Sequence, residues 1–251
     1  MKDLLFYNEY ENFYEMANKS KAFKEFCKEA YGEDFSQDGF SDINQINRIL
    51  KYIPNKDDVH ILDVGCGNGK MLGYLQDKTG AFIHGFDYSG HAIDEAKSNL
   101  ATDSEFICGC IGETEYPDES FDLIILMDSI YFAPDLSSFV DQMMRWLKKN
   151  GKIFVAYQEG DVIPKTNDVH TTLLAKTLSE KGITFETEDI TKESYDMLRK
   201  KKEVAYKFED MFEEEGNREW FDLFVWQTEY ADVSLEEYSE KMARYIFIIS
   251  K

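Results

Sequence analysis

The residues best placed to do chemistry fall in one short run, ILDVGCGNGKM at 61–71. It holds an apolar stretch, then Asp63, then glycines at 65, 67 and 69, then Lys70. Glycine turns after a strand let backbone approach a bulky ligand, and three readings of this one compete. A phosphate-cradling P-loop requires G-x-x-x-x-G-K-[ST]. Here Gly69-Lys70 is followed by Met71, and Val64 stands where the first glycine belongs, so that reading fails. A dinucleotide loop requires G-x-G-x-x-G, but Lys70 occupies the place of its third glycine, and Asp63 would repel a pyrophosphate. A carboxylate at this strand end suits the cationic end of a ligand. A plain strand-to-helix turn without a ligand is the remaining alternative.

A second acid, Asp87, closes the strand AFIHGFD (81–87). An acid there accepts hydrogen bonds from ribose hydroxyls, a geometry that serves NAD as well as an adenosyl group. Tyr88 follows, placed to pack on an adenine. Beyond the apolar run FDLIILM (121–127) come Asp128, Ser129 and Tyr131. Ligands of parallel sheets bind beyond strand C-termini, so Asp128 is expected in a cleft, where it would hold a cationic amine. Tyr131 and Phe132 read equally well as packing residues. Gln158 and Glu159 are expected to face the same cleft, whereas His91 and His170 read as surface residues.

Four segments follow one another in a telling order: DVGCGNG at 63–69, HGFDYSGHAIDEAK at 84–97, YPDESFDLIIL at 116–126 and RWLKKNGKIFVA at 145–156. On these, residues 59–157 resemble the class I S-adenosylmethionine-dependent methyltransferases. The resemblance implies S-adenosylmethionine as cofactor, with contacts from Asp63, Gly65, Cys66, Gly67, Gly69, Asp87, Tyr88, Cys110, Ile111 and Met127. The chain departs from the family in FICGCIGE (106–113), where Cys110 stands in place of an acid. Adenine recognition is therefore expected from backbone at Cys110 and Ile111, with Glu113 a substitute. The lead-in FYNEYENFYEMA (6–17) is similar to the tyrosine-rich start of small-molecule methyltransferases, which points to Tyr14, then Tyr10, as the residue closing over the cofactor. Asp128, Tyr131 and Tyr14 are the candidate catalytic residues. Methyl transfer needs mainly alignment and exclusion of water, and no triad is visible.

The elements that must position these residues alternate in type. The spacing predicts two helices over 3–31 (Leu4, Leu5, Tyr7, Phe13, Tyr14, Met16, then Phe23, Phe26 and Cys27), and a third from Ser41 with Pro54 beyond it. Strands are expected at 59–64, 81–87, 105–108, 121–127 and 152–157, with helices at 69–78, 90–100 and 136–148, the last stopped by Asn150-Gly151. A helix at 168–181, a strand at 183–187, a helical insertion at 190–241 and a closing strand at 243–250 complete the series. This is an α/β, seven-stranded, mostly parallel, doubly wound sheet with an antiparallel last strand. One domain is expected: an N-terminal helical lid (1–55), a cofactor-binding core (56–189), a helical lid (190–241) and a final strand (242–251). Trp220 and Trp226 are expected chiefly as helix-face packing.

Composition bounds the partners. With 49 acidic against 28 basic residues the net charge is −21, which disfavours nucleic acid and anionic membranes. The one dense basic run, Arg199–Lys202, reads as a solvated helix face. Cys27, Cys66, Cys108 and Cys110 lack the spacing of a metal knuckle, so no metal is expected. No apolar stretch approaches the roughly 20 residues of a membrane span. The N-terminus is too acidic and aromatic for a signal peptide, so a cytoplasmic location is expected. The acidity hints at a small amine as methyl acceptor, and the oligomeric state stays open. The alternatives are a non-catalytic cofactor-binding or interaction module of the same fold, and an NAD-linked oxidoreductase, which the glycine spacing disfavours.

Overall fold

The computed structural model describes residues 5–100 and 102–251, so the helical position expected at Leu4 lies outside the described residues. Seven strands form one sheet: β1 (His60–Val64), β2 (Phe82–Asp87), β3 (Ser104–Cys108), β4 (Phe121–Met127), β5 (Leu147–Glu159), β6 (Phe185–Asp189) and β7 (Ala243–Ser250). Their order is β3-β2-β1-β4-β5-β7-β6. The first five neighbours pair in parallel, and β7 runs antiparallel to both β5 and β6. The sheet reverses direction of growth at β1, so the loops after β1 and β4 part there and leave a crevice.

Helices α4 (Lys70–Thr79), α5 (Gly90–Asn99), α6 (Leu136–Trp146) and α7 (Leu173–Glu180) flank the sheet. The continuous apolar run of β4 is explained by burial on both faces: Ile124 and Leu126 join one core cluster, Leu123 and Ile125 the other. A third cluster is almost wholly helical. It joins α1 (Tyr7–Lys19) and α2 (Lys21–Tyr31) to α8 (Thr191–Lys207), α9 (Glu209–Glu214), α10 (Arg218–Gln227) and α11 (Leu235–Lys241). There the Phe23 and Phe26 rings stack on Phe224 at 5.1 and 5.5 Å, so the two ends of the chain share one core above the crevice.

Boundaries differ from expectation where local turns prevail. Helix α6 stops at Trp146 rather than 148, and β5 begins at once. Asn150, at φ 67, and Gly151 form a bulge within that strand, where its register to β4 shifts. The segment 168–181 divides at Thr172, whose hydroxyl caps α7 after a short 3-10 turn. Strand β6 starts two residues late, because Ile183 N–H bonds back to Leu178 as the end of α7. Helix α3 (Ile43–Ile49) is capped by Asp42, which frees Ser41 for another contact. Among the described residues no helix is long and apolar enough to cross a membrane.

Candidate active site

Two chambers open at the C-terminal ends of the strands. The first lies on the glycine loop between β1 and α4. Gly65 and Gly67 adopt φ of +77 and +54, which L side chains rarely hold. Their lack of side chains is also needed for space. A Cβ on Gly65 would meet Ser129 at 2.7 Å, and one on Gly67 would meet the Tyr14 hydroxyl at 2.3 Å. The loop is tied to β2 by the amides of Gly65 and Cys66, which donate to the Phe86 carbonyl at 2.9 and 3.1 Å.

Two acids face this chamber from adjacent strand ends. Asp63 is buried, and its Oδ1 has no hydrogen-bond partner among the described residues. Burial, then the neighbouring Asp87, pushes its carboxyl up to about 8. Asp87 is pushed to about 6 by burial, moderated by the amides of Ser89 and Gly67, which donate to its two oxygens at 2.8 and 3.0 Å. An orphaned buried carboxylate oxygen costs free energy unless a ligand cation or donor meets it. Tyr14 lies over the loop from α1, and burial holds its phenol well above the ordinary value, so it stays protonated.

The structure brings together most of the expected cofactor contacts: Asp63, Gly65, Cys66, Gly67, Asp87, Tyr88, Ile111 and Met127 all line this chamber. Two do not. Gly69 is the N-cap of α4, packed against Leu100 and Phe106 behind the loop. Cys110 is absent from the lining, and its carbonyl accepts from the amides of Glu113 and Thr114; Gly109 and Ile111 on either side line the chamber. Glu113 is likewise absent from the lining. The loop 35–39 was missed from sequence and supplies Phe35, Ser36, Asp38 and Gly39. Lys70 positions it, donating to Ser36 Oγ at 2.6 Å and lying 3.1 Å from Asp34. The lysine after the glycines thus fastens a loop.

The second chamber, ≈ 320 Å³, lies under the helical cluster. Its walls are rings: Tyr10 and Phe13 from α1, Phe40, Tyr131 and Phe132, and Trp220 and Trp226 from α10. Trp220 is therefore chamber wall as well as helix packing, whereas Trp226 is chamber wall and 55% exposed. Tyr131 faces this chamber, with its hydroxyl accepting from the Gln158 amide. Gln158 lines it too, whereas Glu159 points to the opposite side of β5 and accepts from Thr166.

The expected free carboxylate at Asp128 is corrected by a residue that periodicity hid. Arg244 of β7, fully buried, donates to both Asp128 oxygens at 2.6 and 2.8 Å and to Ser41 and Gln45. Asp128 also sits at φ 59, a left-handed conformation that the bidentate pair pins. The solvated basic face is corrected as well. Arg199 and Lys202 reach Tyr195 and Asp232, but Lys201 is 1% exposed, lines the second chamber and donates to Gln227 Oε1 at 2.6 Å.

Against known proteins, a family described as "Methyltransferase domain" matches residues 62–155. Residues 62–155 are similar to that family, and the fold around them is the one its solved structural neighbours share. A sterol 24-C-methyltransferase of Gibberella zeae is 30% identical over 138 residues, covering 53% of this chain and 35% of that protein. Phosphoethanolamine N-methyltransferase 1 of Zea mays is 33% identical over 104 residues, covering 38% and 20%. The chain thus spans about a third or less of these relatives' length. Among solved structures, phosphoethanolamine N-methyltransferase 2 of Haemonchus contortus, in complex with phosphomonomethylethanolamine and S-adenosylhomocysteine, superposes with a TM-score of 0.74. Identity is 17%, over 96% of this chain and 60% of that one. The cyclopropane synthase MmaA2 of Mycobacterium tuberculosis also gives 0.74, at 13% identity over 96% and 98%. The methyltransferase fold therefore extends across nearly the whole chain, beyond the segment where sequence alone matches.

Proposed function

We propose that the chain is an S-adenosylmethionine-dependent methyltransferase acting on a small, largely apolar molecule, with an amine nitrogen as acceptor. The observation that carries the cofactor is Asp63: a buried carboxylate oxygen without a partner, beside glycines shaped for close approach. Asp63 would hold the ammonium end, Asp87 the ribose hydroxyls, and Tyr88 and Ile111 the adenine side, while Tyr14 covers the methionine part. When bound, the cofactor supplies an electrophilic methyl group.

The second chamber takes the acceptor. Its rings exclude water, and its size falls in the range of ordinary small-molecule sites. Among the described residues, Glu9, Asp38, Asp128 and Asp161 face it against Lys201; Arg244 neutralises Asp128, which leaves two negative charges among them. Aromatic faces with excess carboxylate favour a cation. The N-terminal helices and the 190–241 insertion act as the lid. Tyr131 is a neutral wall, and Asp128 acts through Arg244 in fixing the chamber floor.

Calorimetric titration with S-adenosylmethionine and S-adenosylhomocysteine tests the reading, with Asp63→Ala beside the wild type. Binding that Asp63→Ala weakens is expected. A folded wild type that binds neither at about millimolar concentration overturns it.

A further inference from the structure

Among the described residues, five face both chambers: Tyr10, Asp38, Gly39, Asp128 and Phe132. Two ligands that react must meet at this opening, so its polar groups decide which acceptor atom can be used. Only two of the five carry charge. Asp128 is engaged on both oxygens by the buried Arg244 guanidinium.

Asp38 differs. Gln227 Nε2 donates to its oxygens at 3.0 and 3.1 Å, and Gln227 Oε1 in turn accepts from Lys201 Nζ at 2.6 Å. Lys201 itself stays 4.0 Å from Asp38, outside hydrogen-bond range. A carboxylate offers about four lone-pair sites, and this arrangement leaves some of them open. The carboxylate is therefore aimed by Gln227 and paired with Lys201 only across 4.0 Å without a hydrogen bond, so part of its acceptor capacity stays open. Its side chain is 19% exposed, and the exposed part faces the chambers. The rings of Tyr10 and Phe132 stand edge to face beside it, 6.3 Å apart, on the same opening.

On the methyltransferase reading, on which this rests, we infer that Asp38 receives the nitrogen of a hydrophobic amine, with Gln227 and Lys201 as positioning residues. An ammonium has no lone pair for a methyl group. One N–H bond breaks, its proton forms an O–H bond on Asp38, and the nitrogen lone pair is freed toward the cofactor chamber. Charge balances: ammonium and carboxylate become neutral amine and carboxylic acid, with no electron transfer. An alcohol would gain only a neutral hydrogen bond from the same group, which makes Asp38 a selector of amines over alcohols of equal shape.

The test uses 2-phenylethylamine and 2-phenylethanol as probes, read by tryptophan fluorescence in the presence of S-adenosylhomocysteine. Trp220 and Trp226 line the chamber, whereas Trp146 lies in the sheet-facing core. The wild type is expected to bind the amine at least about tenfold more tightly than the alcohol, as a charge-assisted contact allows. Asp38→Asn should equalise the two while keeping alcohol affinity and the melting temperature. Gln227→Leu, which removes the amide that aims the Asp38 oxygens and leaves the charges in place, should narrow the amine-to-alcohol ratio without changing the alcohol, which a purely structural loss would not do. Failure of the wild type to discriminate or to bind either probe, or a preference surviving in Asp38→Asn, overturns the assignment. Calorimetry with S-adenosylhomocysteine separates the levels. Its binding without amine preference leaves the methyltransferase reading standing, whereas absence of its binding removes that reading and this one together.

Discussion

The chamber proposed for the cofactor is bounded by backbone at the ends of β1, β2 and β4, whereas the one proposed for the acceptor is bounded by rings carried on α1 and α10. In the first, glycine conformations and strand register fix the geometry before any ligand arrives. In the second, position depends on packing between the two ends of the chain, through Phe23, Phe26 and Phe224. Damage to the first should abolish methyl transfer with any acceptor. Damage to the second should change which acceptor is taken.

The largest effect is expected where the two chambers share a support. Arg244→Met strands Asp128 without its cation, and breaking a buried pair in this way costs about 3–5 kcal/mol. Denaturant unfolding should show that loss, and the double variant with Asp128→Asn should recover much of it. A single-variant loss under about 1 kcal/mol would mean the pair is dispensable.

Next in size is Gly67→Ala. The new methyl would meet the Tyr14 hydroxyl and force a residue at φ +54, so cofactor affinity should fall by about a hundredfold, whereas overall stability falls by about 1–2 kcal/mol. Combining it with Tyr14→Phe removes the atom in closest contact and should restore part of the affinity. Equal cofactor affinity in Gly67→Ala and wild type would break the claim that backbone builds this chamber.

The contrast also explains what the sequence could and could not reveal. That Asp63, Gly65, Gly67 and Asp87 meet at one chamber is legible because strand-end geometry ties their positions to short, local spacing. Gly69 shares that spacing but is consumed by packing on Leu100 and Phe106, which spacing cannot express. Arg244 sits among apolar residues of β7 and meets Asp128 across 116 positions, so no local pattern announces it. Lys201 is hidden in a run of four basic residues of which it alone is buried in the chamber wall, and only the partner helix α10 distinguishes it. The loop 35–39 has neither helical nor strand periodicity. Its place is set by Lys70, whose reach to Ser36 depends on the folded loop.

A third expectation concerns Asp63 and pH. Its carboxyl titrates near 8 in the folded, unliganded chain, against about 3.9 when unfolded. Between these values the folded state holds a proton that the unfolded state has released, so stability falls as pH rises through that window. Asp87, also raised, acts in the same direction up to about 6. Asp63→Asn should therefore flatten the decline in melting temperature between pH 6 and 8. In the wild type, a cationic ligand end must displace the proton, so cofactor affinity should rise over the same range, with proton uptake by the buffer measurable by calorimetry. A wild type and Asp63→Asn with the same pH slope would show that Asp63 is already ionised without ligand.

The smallest effect on stability is expected at Trp226, and it tests the comparison most directly. The ring is largely exposed, so Trp226→Ala should cost well under the about 3–5 kcal/mol of a buried tryptophan, with a melting temperature close to wild type. Because the ring also lines the acceptor chamber, its loss opens the wall to water and removes an aromatic face. The Michaelis constant for the acceptor should rise several-fold while S-adenosylhomocysteine affinity, held by strand ends on the far side of the opening, stays unchanged. If both affinities fall together, the chambers are one mechanical unit and the helical layer positions the cofactor too. If neither falls, Trp226 is surface alone, and the acceptor contacts only the deeper rings of Tyr10, Phe13 and Trp220.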